Sequence, residues 1–138
     1  MSTMLVYRLE TTDGLGPYNG GFYTGQRSDA QAEVKERLAE AHCNEDAMDT
    51  HPTPSMDPEM RNHHRADSLT DQYLFGFAYR SDLSAWFGGF GADLDAAGYV
   101  VSVYRAPREY VLAGRNQVAA HRQRMDLVRQ YAPAKLIP

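Results

Sequence analysis

The sequence has one cysteine, little net charge and no long apolar run, and each shortage removes a class of protein. Cys43 is the single cysteine among 138 residues, so it forms no intramolecular disulfide and supplies no cysteine-based zinc site. No apolar stretch approaches the roughly 20 residues of a membrane helix, and no basic, apolar leader opens the chain. A soluble, cytoplasmic protein without membrane partners is expected. A formal net charge of −4 argues against general nucleic-acid binding, which relies on a basic footprint. Arg105 and Arg108, and the stretch from Arg115 to Arg129, are local basic exceptions and read as solvated faces. P-loop, dinucleotide glycine, HExxH, GxSxG and EF-hand patterns are all absent, which sets aside the commonest enzyme classes.

What is present reads as one α+β domain over residues 1–138, with a small central, mostly antiparallel sheet of about five strands and two to four helices around it. Residues 4–10 (MLVYRLE) alternate as a strand. Residues 11–25 carry five glycines, Pro17 and three aromatics, the composition of a shaped turn. Ser28 with Gln31 makes a capping box for a helix to about Ala41, with Ala30, Val34, Leu38 and Ala41 on its buried face. The stretch 42–72 is a long polar excursion with Pro52, Pro54, Pro58 and four of the five histidines. A short helix is predicted around residues 58–64.

Residues 73–78 (YLFGFA) are almost wholly apolar and predict a central strand, with Gly76 admitting close approach of a backbone or ligand. In that strand Tyr73, Phe75, Phe77 and Tyr79 share one face. Ser81 is expected to cap a helix over 82–87, a second short helix follows over 93–97, and residues 99–105 (YVVSVYR) form a third strand. Residues 109–113 and 117–120 read as strands joined at a turn over 114–116. Residues 121–131 read as a closing helix burying Met125 and Val128, and 117–131 as one helix is the alternative.

Several residues are candidates for chemistry. Arg8, beside the glycine-rich GLGPY turn with Tyr18, can grip a phosphate or pair with Glu10. His51, restricted by Pro52, is a candidate general base. His42, His51, His63 and His64 near Asp46, Asp49, Asp57 and Asp67 are the residue types of a zinc or iron site, the basis for reading a small metal-dependent hydrolase. Glu109, Gln117 and His121 form a third polar group. Gly76 and Phe77 are the candidate contact with a ligand held by Arg8.

The ordered segments VYRLE, GLGPY, HPTP, FGFAYRSDLSAWF, AGYVVSVYR and GRNQVAAHR resemble a group of small uncharacterised phage and prophage proteins. A more distant resemblance is to ADP-ribosyltransferase-like folds. It implies that Arg8 in VYR holds NAD, that FGFAYRSDLSAWF supplies the following strand and helix, and that Gln117 in GRNQV stands where that family places its acid. An amide there bonds a ribose hydroxyl but brings no charge to an oxocarbenium-like transition state. The resemblances imply a phage-encoded accessory protein with an NAD- or nucleotide-binding domain, acting in the host cytoplasm against a host system. Catalytic roles would then fall to Arg8, His51 and Gln117, and cofactor contacts to Arg8, Tyr18, Gly76 and Phe77. The alternative is a non-enzymatic anti-CRISPR or other anti-defence inhibitor that binds a host protein complex.

Overall fold

The alternation in the first ten residues becomes strand β1 (Thr3–Glu10) in the computed structural model, which describes residues 2–12, 14, 16, 28–42, 51, 57, 59 and 73–138. The other described elements are α1 (Asp29–His42), β2 (Tyr73–Gly76), α2 (Arg80–Trp86), α3 (Gly91–Ala96), β3 (Val100–Pro107), β4 (Val111–Ala113), β5 (Val118–His121), β6 (Asp126–Tyr131) and α4 (Pro133–Leu136). The fold is α+β and its sheets are antiparallel, as the patterns predict, but the strands form two sheets of three. One runs β1-β3-β6 and the other β2-β5-β4. Tyr7 and Phe77 exchange backbone hydrogen bonds of 2.7 and 2.8 Å, an isolated bridge that ties the two sheets.

Alternation along β1 divides two cores. Leu9 joins Val101, Phe77, Leu83, Trp86, Phe87 and Leu94 in the larger cluster beneath the helices, while Val6 joins Ala106, Val118 and Ala120 between the sheets. Gly76 stands where β1 and β2 meet. A Cβ there would lie 2.9 Å from the Tyr7 carbonyl oxygen and 2.8 Å from Val6 Cγ1, so glycine permits the close backbone approach.

The helices differ in detail from expectation. Ser28 Oγ accepts from the Gln31 N–H at 3.2 Å and Gln31 Oε1 accepts from the Ser28 N–H at 3.3 Å, the reciprocal box that starts α1. Its buried face is Val34, Leu38 and His42; Ala30 and Ala41 are exposed. Ser81 does not cap α2. That helix begins at Arg80, and the extended Tyr79 offers its carbonyl to the N–H groups of Asp82 and Leu83. Tyr79 leaves the face shared by Phe75 and Phe77 because the strand has already ended, and it is 68% exposed.

The largest correction concerns residues 121–131. They form a 3₁₀ turn (Arg122–Arg124) and strand β6, not a helix. The outer edge of β3 needs hydrogen-bond partners, and β6 supplies them antiparallel from Val101↔Tyr131 to Arg105↔Asp126. A bulge places Leu127 and Arg129 opposite the consecutive residues Tyr104 and Val103, with Val128 as the extra residue. Met125 and Val128 are therefore not one apolar stripe: Met125 packs on the inter-sheet core and Val128 is 43% exposed. Residues 108–110 also depart from expectation, forming a 3₁₀ turn before the short β4. The helix predicted around 58–64 falls outside the described residues, apart from Glu59.

Candidate functional site

Arg8 and Glu10, two residues apart on β1, stand on one face of the strand. The Arg8 guanidinium donates from Nε to Glu10 Oε1 at 2.9 Å, from Nη1 to the Phe75 carbonyl at 2.8 Å and from Nη2 to the Gly14 carbonyl at 3.2 Å. The Tyr104 hydroxyl donates to Glu10 Oε2 at 2.5 Å. Burial lowers the Arg8 pKa, opposed by the adjacent Glu10. Burial, then the bond and charge of Glu10, push Tyr104 up to about 12. Arg8 is 3% exposed and its three donors meet protein acceptors, so it acts as an internal clasp joining β1, β2 and Gly14.

A second polar arrangement opens to solvent. The β4–β5 hairpin closes through the Gly114 N–H bonded to the Gln117 carbonyl at 2.8 Å. The fully buried Asp57, from far earlier in the chain, fixes the inside of this turn. Its carboxylate accepts from the Arg115 N–H at 3.0 and 3.1 Å, from Gln117 Nε2 at 3.0 Å and from the Glu59 N–H at 3.0 Å. Gly114 makes room for it: a Cβ there would stand 2.9 Å from Asp57 Cγ and closer still to Oδ2.

Beside this braced turn lies a cleft of about 350 Å³. Arg108 and Arg115 line it from the two ends of β4, Asn116 and Gln117 from the turn, and Tyr79 and Asp82 from the start of α2. Met4, Val111 and Val118 give it an apolar wall. Desolvation raises the Asp82 pKa. Two guanidiniums against one carboxylate leave the cleft with positive charge, suited to an anion that also presents hydroxyls or a ring.

A third arrangement joins α1 to residue 51. The His42 and His51 rings stack at 3.8 Å between centroids, 11° from parallel, and His51 Nε2 lies 3.0 Å from the Trp86 carbonyl oxygen. Desolvation, then the neighbouring His51, lower His42 to about 4, so His42 is neutral at physiological pH.

Residues 4–134 match the family described as Bacteriophage T4 Y00F protein. The chain belongs to that family. No curated protein and no solved structure matches it. The Y00F match runs across both sheets and through every segment that resembles phage proteins, and its description names no reaction.

Within this Y00F-family chain the predicted site residues separate. Gln117 lines the cleft, whereas Arg8 does not and is enclosed by Glu10, Phe75 and Gly14. Phe77 is fully buried, meeting Trp86 at 5.5 Å and Phe87 at 5.9 Å, and the space beside Gly76 is filled by β1. His51 packs on His42 and Trp86 and does not line the cleft. Tyr18, with Cys43, Asp46, Asp49, His63, His64 and Asp67, lies outside the described residues. Among the described residues no three histidine, cysteine or acidic side chains converge as a metal site, and no helix is long and apolar enough to cross a membrane. Sequence reasoning named Asp57 only as a candidate metal ligand and passed over Tyr79, Asp82, Arg108 and Arg115 as site residues. The turn signal at 114–116 marks where Arg115 would sit; nothing local points to Asp57 or Tyr79.

Proposed function

We propose that this phage-family protein is an accessory factor that binds a nucleotide, or a related phosphate-bearing small molecule, in the cleft beside the β4–β5 turn. The observation that carries the reading is that Arg108 and Arg115, which flank β4, line one cleft together with Tyr79; Arg108 Nε donates to Ser2 Oγ at 2.9 Å. Guanidiniums pair with phosphate oxygens in a fixed fork, Tyr79 offers a stacking face, and Asp82 and Asn116 match hydroxyls and base edges. The reading is capture without transfer. Gln117 is an amide bonded to Asp57, and Arg8 is committed to Glu10, so the two residues of the transferase resemblance do not meet at this cleft.

Thermal melting with ADP, NAD and pyrophosphate at millimolar concentration tests it. The melting temperature rises with ligand, and the rise disappears when Arg108 and Arg115 are both changed to Ala. Absence of any rise with all three ligands would sink the reading.

A second reading, contact with a host protein complex, has its own support in the exposed Leu127 (55%) and Val128 (43%) on edge strand β6. Capture of one defence component from host lysate, lost in Leu127→Glu, would favour it. Equal capture by that variant would count against it.

A further inference from the structure

The net charge of −4 conceals a strong segregation. Between Arg105 and Arg129 the chain holds six arginines and two carboxylates, Glu109 and Asp126. All six arginines are exposed. The opposing charge sits elsewhere, for example on Glu33, Glu36 and Glu40 along the exposed face of α1. Two of the arginines, Arg108 and Arg115, line the cleft. A third, Arg124, lies over the ring of Tyr110 with its guanidinium carbon 4.6 Å from the centroid.

Tyr110 sits between Arg108 and Val111, both in the cleft wall, at the start of β4. β4 is three residues long and is the outer strand of its sheet, so Tyr110 directly precedes the cleft residue Val111 at that edge. Beyond Tyr110, His121 lies 6.0 Å away edge-on and meets Tyr73 at 5.3 Å. Cations alternating with aromatic rings along a path are the arrangement that holds a nucleotide chain, phosphates on the cations and bases on the rings.

We infer that the cleft is one end of a binding track for single-stranded nucleic acid, which continues over the β4 rim onto Tyr110 and Arg124. This rests on the nucleotide reading of the cleft and extends it from a single nucleotide to a chain. The ribose or deoxyribose backbone shares the same phosphate and base chemistry, so RNA and DNA are separated by experiment. The acidic total does not oppose the inference, because α1 carries its acids on a different element from the arginines of the track.

Fluorescence anisotropy with labelled oligo-dT and oligo-U of about twelve nucleotides tests it, alongside ADP binding followed by melting temperature. The preferred oligonucleotide binds at least about tenfold more tightly than ADP, and its affinity falls roughly 20-fold between about 50 and 200 mM salt, as release of counterions from about three phosphates requires. Arg124→Glu weakens oligonucleotide binding by at least about fivefold while ADP binding is unchanged; Arg108→Ala weakens both. Tyr110→Ala behaves as Arg124→Glu does, and Arg124 is exposed enough for its variant to report binding even if the tyrosine variant loses stability. Oligonucleotides binding no better than ADP would overturn the track and leave the nucleotide cleft standing. Unchanged oligonucleotide affinity in Arg124→Glu would also overturn it. Failure of both ligands to bind would remove the track and the cleft reading together.

Discussion

Arg8 and Glu10, two residues apart on β1, close an ion pair of 2.9 Å with 4% and 5% of their side chains exposed. Removing one partner leaves the other charge buried, which costs more than the pair contributes when intact. Arg8→Ala is therefore expected to lower unfolding free energy by about 3–5 kcal/mol, read from the denaturant midpoint. Ligand affinity of the fraction that stays folded is unchanged. An Arg8 variant of full stability that no longer binds ADP would instead make Arg8 a ligand residue.

Tyr104 donates to the same carboxylate, and its pKa of about 12 couples the network to alkaline pH. The folded state favours the protonated phenol. The unfolded chain loses that proton near pH 10, so this contribution is full below pH 10 and is lost as pH rises towards 12. Tyr104→Phe should flatten that part of the stability profile and, by taking a donor from a buried carboxylate, cost about 1–3 kcal/mol at neutral pH. Ring-proton shifts of Tyr104 moving near pH 10 would contradict it.

His42 works in the opposite direction. Its ring is held neutral down to about pH 4 by burial among Trp86, Phe87 and Phe90 and by the stacked His51. The unfolded chain takes up a proton near pH 6.5, so stability is full above 6.5 and declines as pH falls from 6.5 to about 4. Melting temperatures across that window should slope down towards acid in the natural protein and less steeply in His42→Gln. Parallel slopes would show that the proton uptake lies elsewhere.

Gly91 and Ile137 lock the end of the chain to α3. A Cβ on Gly91 would press into the Ile137 carbonyl, with the carbonyl carbon 2.9 Å away, while the buried Ile137 fills the main core and Pro138 accepts from the Gly89 N–H at 2.9 Å. Gly91→Ala is expected to cost about 1–3 kcal/mol. Deleting Ile137 and Pro138 should leave little further loss for Gly91→Ala, because both changes remove the same contacts. Fully additive losses in a double-mutant cycle would refute the lock.

The residues that declared themselves in sequence are those whose role is local or periodic. The alternation of MLVYRLE shows in β1, the Ser28 and Gln31 pair in the start of α1, and the 114–116 turn in the β4–β5 hairpin. Gly76 was legible as a point of close approach, although what approaches is β1. Residues 121–131 misled because spacing between Met125 and Val128 mimics a helical stripe when a 3₁₀ turn and a bulge interrupt the strand.

The sequence by itself determined the α+β class, the strand and cap signals, and the small inventory of charged and aromatic residues from which any site is made. Tertiary structure alone decided which of them meet. It enclosed Arg8 with Glu10, stacked His51 on His42, brought Asp57 beneath a turn 58 residues later and set Arg108 and Arg115 on one cleft. The reason is physical. Caps and alternation are satisfied within a few residues of chain, whereas pairing a strand edge or satisfying a buried carboxylate draws on groups whose proximity exists only after the chain has closed on itself.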